Sequence, residues 1–77
     1  MSDPCPIHTS DEALNWCITE GVKIDTYGGK VVRVTHRETG ESAVRCIGKE
    51  GFSMAGDFMM ACRDVWAKVE EIRMVTP

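Results

Sequence analysis

The sequence predicts an α+β domain of order α-β-β-β-α, a three-stranded antiparallel sheet with two helices packed on one face. Three observations carry that expectation. Apolar residues recur at helical spacing towards both ends of the chain, at Ala13, Leu14, Cys17 and Ile18 and again from Phe58 to Ile72. Between them, from Val22 to Ile47, the period falls to two. Gly28-Gly29 and Glu38-Thr39-Gly40 divide that alternating stretch into three runs.

Residues 1–8 hold two prolines and little periodicity, and read as a flexible N-terminal arm. Residues 9–77 read as a single compact α+β domain. Thr9 is placed to cap the first helix, and Glu12, three residues on, completes a capping box. Gly21 stops this helix about three turns later. Trp16 falls outside its apolar stripe.

In the strands, Val22, Ile24 and Thr26 alternate with Lys23, Asp25 and Tyr27, and the same pattern repeats through Val31–Thr35 and Ala43–Ile47. A three-residue loop, Gly28 to Lys30, sets Ile24 opposite Val34 and Thr26 opposite Val32. A three-residue loop from Glu38 to Gly40 then aligns Val34 with Val44 and Val32 with Cys46. His36 falls at the rim of the core, opposite Ser42. Ser53 is placed to cap the second, longer helix, which reaches to about Arg73. Its stripe comprises Phe58, Met59, Cys62, Val65, Trp66, Val69 and Ile72, with Asp57, Asp64 and Glu71 on the opposite side.

A chain of 77 residues fits one small domain and excludes a multidomain enzyme. No run approaches the roughly 18 apolar residues needed to span a membrane. The N-terminus lacks both the basic start and the apolar stretch of a signal peptide, so a soluble, cytoplasmic protein in a reducing compartment is expected. Cys5, Cys17, Cys46 and Cys62 contain no CxxC pair, so they read as core thiols, with Cys5 in the loose arm. A small metal-binding domain is the third choice of function. No nucleophile elbow, phosphate-binding loop or HExxH helix appears, and neither an enzyme nor a cofactor is expected.

The expected register leaves one sheet face open, with Tyr27, Val31 and Ile47 in one row and Asp25, Arg33 and Arg45 in the next. Arg37 lies at the end beside Glu41. An aromatic and aliphatic row next to two arginines has the composition of a binding surface. The N-terminal arm, a second copy of the chain or a different protein would each cover it.

Charge is segregated along the chain. Residues 1–21 carry four acids and no base, residues 22–49 six bases and three acids, and residues 50–77 five acids and three bases. The net charge of −3 thus hides a basic sheet and acidic helices. Acidic helices can imitate a phosphate backbone or engage a basic groove on a partner, with Trp16 as an anchor beside Glu12 and Glu20.

The element order, with Ala13-Leu14-Asn15 in the first helix and Gly48-Lys49-Glu50-Gly51-Phe52-Ser53 before the second, resembles the double-stranded RNA-binding domain. That family grips phosphates with lysines at the start of its second helix. Here those positions read Met54-Ala55-Gly56-Asp57, so the resemblance implies the topology and not the RNA-binding activity. In style, a small acidic α+β chain with no catalytic set also resembles the phage-encoded inhibitors called anti-CRISPR proteins, a group with no common motif. That resemblance implies a non-enzymatic inhibitor that occupies the DNA-binding or partner surface of a CRISPR-Cas effector or similar complex. The competing expectation is a nucleic-acid binder, with Tyr27 stacking and Lys23, Lys30, Arg33, Arg37 and Arg45 on phosphates.

Overall fold

The computed structural model describes residues 4–49, 51 and 53–75. Five elements follow in the expected order: α1 (Ser10–Glu20), β1 (Val22–Tyr27), β2 (Val31–His36), β3 (Ser42–Cys46) and α2 (Met54–Val75). The strands form one antiparallel sheet, ordered β1-β2-β3. The first three residues of the arm lie outside the described residues, as do Glu50 and Phe52 in the segment leading to α2.

Helix α1 begins as its sequence dictates. Thr9 Oγ1 accepts the Glu12 N–H at 3.1 Å, while the Glu12 carboxylate reaches back to the His8 N–H at 3.2 Å. Gly21 ends the helix in the left-handed region (φ 68°) and donates its N–H to the Cys17 carbonyl. A single residue therefore joins α1 to β1, so the helix turns back along the strand it precedes. Ser53 starts α2 in the same manner, its hydroxyl accepting from Gly56 N–H at 3.1 Å.

The first hairpin has the expected register. Gly28 and Gly29 both take positive φ, and the pairs Ile24–Val34, Asp25–Arg33 and Thr26–Val32 form. The second hairpin differs by one residue. Arg33 faces Val44, Val34 faces Ala43 and Thr35 faces Ser42, where the sequence suggested Val34 against Val44. The loop has four residues, Arg37 to Gly40, and is closed by His36 N–H on Glu41 O and Gly40 N–H on His36 O, both at 2.8 Å.

Buried polar groups explain the longer loop. His36 is fully buried, not at the rim, and its ring needs partners there. Thr39 supplies them: its N–H lies 3.3 Å and its hydroxyl 3.1 Å from Nδ1. The Thr39 hydroxyl also accepts the Glu41 N–H at 3.3 Å. A three-residue loop beginning at Glu38 would pair Arg37 with Glu41 and His36 with Ser42, without the His36–Glu41 backbone bond.

Because side chains alternate along a strand, the one-residue shift moves every β3 side chain to the other face. Arg45 and Ile47, expected on the open face, lie on the helix side. Val44 and Cys46 take the open face instead. Helix α2 crosses β2 and β3, and α1 packs beside it over β1. The core between them holds Ala13, Cys17, Val32, Val34, Ala61, Cys62, Val65 and Val69. Cys5 and Ile7, read from sequence as part of a loose arm, are also buried in it, and Arg63 donates to the Ile7 carbonyl at 2.6 Å.

Candidate partner-binding surface

Among the described residues no helix packs on the second face of the sheet, whose rows follow from the pairing. Tyr27, Val31 and Cys46 form the row nearest the Gly28-Gly29 turn, Asp25, Arg33 and Val44 the next, and Lys23, Thr35 and Ser42 the last. Tyr27 is 52% exposed and Val44 58%, large values for an aromatic and a branched residue within a sheet. Arg33 is exposed between them. An aromatic ring, an aliphatic side chain and a guanidinium thus share one shallow surface.

The electrostatics of this face are modest. Lys23 Nζ and Asp25 Oδ1 lie 3.9 Å apart along β1, both reaching water. Arg33 faces Asp25 across the β1–β2 pair. Arg37 lies in the second loop rather than beside Glu41, and is exposed.

The remaining expected contacts are scattered. Arg45 is directed at α2, with Nε 3.7 Å from Asp57 Oδ1 and a terminal nitrogen 3.6 Å from Asp64. Asp57, expected on the polar side of α2, is buried and accepts the Gly48 N–H at 2.7 Å. Glu20 holds Arg73 at 2.9 Å and lies 3.6 Å from His36 Nε2. The Arg73 guanidinium keeps the Glu20 carboxyl below the usual glutamate range. Trp16 is half-buried at the margin of α1, its ring centroid 6.1 Å from that of His36. Of the two acids expected to flank Trp16 on α1, Glu12 is the one on the exposed surface, and its carboxylate serves the cap.

The four thiols do not converge. Cys17 and Cys62 face each other across the helix–helix contact with sulfurs 3.5 Å apart, whereas Cys46 lies on the far side of the sheet. The hydrogen bond between the paired thiols, together with burial, pushes Cys62 up.

Val44 is the binding-face residue that the sequence reading missed. Asp57 carried a usable signal: it heads the i, i+4 row Asp57, Ala61, Val65, Val69, whose other members are all buried. A buried acid requires a cationic partner, and a β3 arginine turned towards α2 meets that need.

No known protein family, curated protein or solved structure matches this chain.

Proposed function

We propose that the chain is a non-catalytic protein-binding module whose contact surface is the bare face of its sheet, with Tyr27, Val31, Arg33 and Val44 at the centre. The observation that carries this reading is the exposed trio of Tyr27, Arg33 and Val44 on a face that no helix covers among the described residues. A rigid aromatic and an arginine surrounded by aliphatic carbon are the residue types that dominate binding energy when a partner excludes water. Burying the Tyr27 ring and the Val44 side chain removes apolar surface from water at about 25 cal/mol per Å².

Within this class the finer proposal is an inhibitor encoded by a phage or mobile element. It acts by occupying a surface of a nucleic-acid-handling host complex such as a CRISPR-Cas effector. The exposed acids Asp11 and Glu12 on α1 and Glu71 on α2 support that reading, because acidic side chains complement surfaces built to hold phosphate. Direct nucleic-acid binding has less support. Arg45, one of its five proposed phosphate contacts, is directed at Asp57 and Asp64 on the other side of the sheet.

The test is affinity capture from a host lysate, with the Arg33→Glu, Val44→Asp double variant beside the wild type. A partner recovered by wild type and lost by the folded variant supports the sheet-face reading. Equal recovery by both overturns it, and so does tight, steeply salt-dependent binding of the isolated protein to RNA or DNA.

A further inference from the structure

The two edges of the sheet are finished differently. Ile47 donates its N–H to the Lys30 carbonyl at 2.7 Å, and His36 donates to Glu41 at 2.8 Å. Even-numbered positions from 30 to 36 therefore direct their backbone groups at β3. By alternation Val31, Arg33 and Thr35 bond to β1 through Tyr27, Asp25 and Lys23. Val22, Ile24 and Thr26 are left with N–H and C=O groups aimed out of the β1 edge.

On β3 the outward residues are Ser42, Val44 and Cys46, and the chain itself occupies two of their carbonyls. Lys68 Nζ sits 2.7 Å from Ser42 O, and the Lys49 N–H donates to Cys46 O at 3.3 Å. Strand β1, by contrast, is six residues long, pairs without interruption and contains no proline. An edge of that kind is a template for another strand.

Apolar surface lies beside the same edge. Ile24 is 40% exposed on the helix side of β1, and Leu14 and Ile18, one turn apart on α1, are 48% and 72% exposed. Leu14 and Ile24 line an apolar groove of about 480 Å³ with Thr26, Val32, Met54 and Phe58. Side chains this exposed and this close together call for a cover.

We propose that β1 pairs antiparallel with β1 of a second copy, around a two-fold axis at Ile24, to give a continuous six-stranded sheet. The charge pattern of the strand selects both this partner and its register. In a two-fold antiparallel pair, facing residues lie on the same side of the sheet, so registers change in steps that keep like faces together. With Ile24 opposite Ile24, Lys23 faces Asp25 of the second copy and Asp25 faces its Lys23. Val22 then faces Thr26. One step in either direction sets Lys23 against Lys23 or Asp25 against Asp25, and like charges directly opposite destabilise a sheet.

The favoured register also matches the backbone. Val22, Ile24 and Thr26 meet their counterparts as hydrogen-bonded pairs, forming about six new N–H···O bonds. A lysine on an edge strand ordinarily deters pairing. Here Asp25, two residues along on the same face, turns that lysine into half of a complementary pair. On the helix side the two Ile24 side chains meet, with Leu14 and Ile18 of each copy on the same side of the sheet. The inference does not depend on the proposed function, although the dimer would set two copies of the Tyr27–Arg33–Val44 face in one continuous surface.

Sedimentation velocity from micromolar to millimolar protein tests the proposal, with hydrogen exchange measured at both extremes. Wild type is expected to dimerise with rising concentration, with the Val22, Ile24 and Thr26 amides becoming protected as it does. Lys23→Asp and Asp25→Lys, each checked for fold by circular dichroism, are expected to weaken dimerisation at least about tenfold. Mixing the two variants in equal amounts should restore it, because each then supplies the charge the other lacks. A chain that stays monomeric to millimolar concentration overturns the proposal, even if a different protein adds a strand to this edge. A dimer whose three amides exchange as in the monomer also overturns it, as does dimerisation by either folded variant at wild-type strength. Should a variant fail to fold, the wild-type exchange pattern decides alone.

Discussion

On the helix side of the sheet Val32, Val34 and His36 are shut away from water, while on the other side Tyr27, Arg33 and Val44 face it from the same or adjacent strands. The covered face encloses polar groups, with Asp57 buried against Arg45 and His36 beneath Trp16 and near Glu20. The bare face exposes the Tyr27 ring and the Val44 side chain. The contrast separates two duties. Polar groups under the helices bear on how the elements fit together. Asp57 accepts the Gly48 N–H and lies 3.7 Å from Arg45, and Thr39 meets His36. A slip that removed these contacts would carry a desolvation cost. Under the proposed function, the apolar groups on the bare face serve contact with another molecule.

The largest expected effect comes from breaking the covered face at its buried acid. Asp57→Ala strips an acceptor from the Gly48 N–H and a counter-charge from Arg45, and should cost about 3–5 kcal/mol. In a domain whose whole stability is on the order of 5–15 kcal/mol, that loss shows directly as a lower midpoint in urea melts. An unfolding free energy within about 0.5 kcal/mol of wild type would mean that the Arg45–Asp57 contact does not hold β3 in its register.

A smaller effect is expected at the margin of that face, where Glu20 joins Arg73 and approaches His36. Arg73 lowers the Glu20 pKa on folding, so the unfolded chain binds the proton more readily than the folded one. The contribution is complete above the ordinary glutamate pKa of about 4.3 and is lost as pH falls through the lower folded value. Glu20 is partly exposed and the pair is screened, so the contribution is about 1 kcal/mol or less. Chemical denaturation from pH 6 to pH 3 should show Glu20→Gln losing least stability relative to wild type at the acid end. A constant difference across that range would contradict the assignment.

The smallest effect on stability belongs to the bare face. Arg33→Gln with Val44→Thr, which sets no like charges opposite Asp25 and keeps a β-branched residue in β3, should leave the unfolding free energy within about 0.5 kcal/mol per substitution. Large destabilisation would show that this face is structural and would remove the contrast.

Much of this arrangement was legible from local chemistry. Thr9, Glu12 and Gly21 mark the ends of α1 because caps depend on neighbouring residues alone, and two successive positive-φ glycines bring the β1–β2 hairpin into the expected register. The candidate face was legible in part: Tyr27, Val31 and Arg33 lie where the alternation placed them, whereas Arg45 and Ile47 do not. For β3 both registers offer an alternating strand and a glycine at the end of the loop, so pattern alone does not choose between them. Ala43 and Val44, adjacent in sequence, are both apolar, and either suits the core.

The sequence by itself determined the element order, the helix caps, the first hairpin and the acidic character of the helices flanking a basic sheet. Tertiary structure decided which side of β3 faces the helices, how Cys5 and Ile7 join the core, and which sheet edge remains open. The reason is physical. The first group rests on backbone hydrogen bonds and spacing within a few residues. The second rests on partners brought together from distant segments: Asp57 for Arg45, Arg63 for the Ile7 carbonyl and Lys68 for the Ser42 carbonyl.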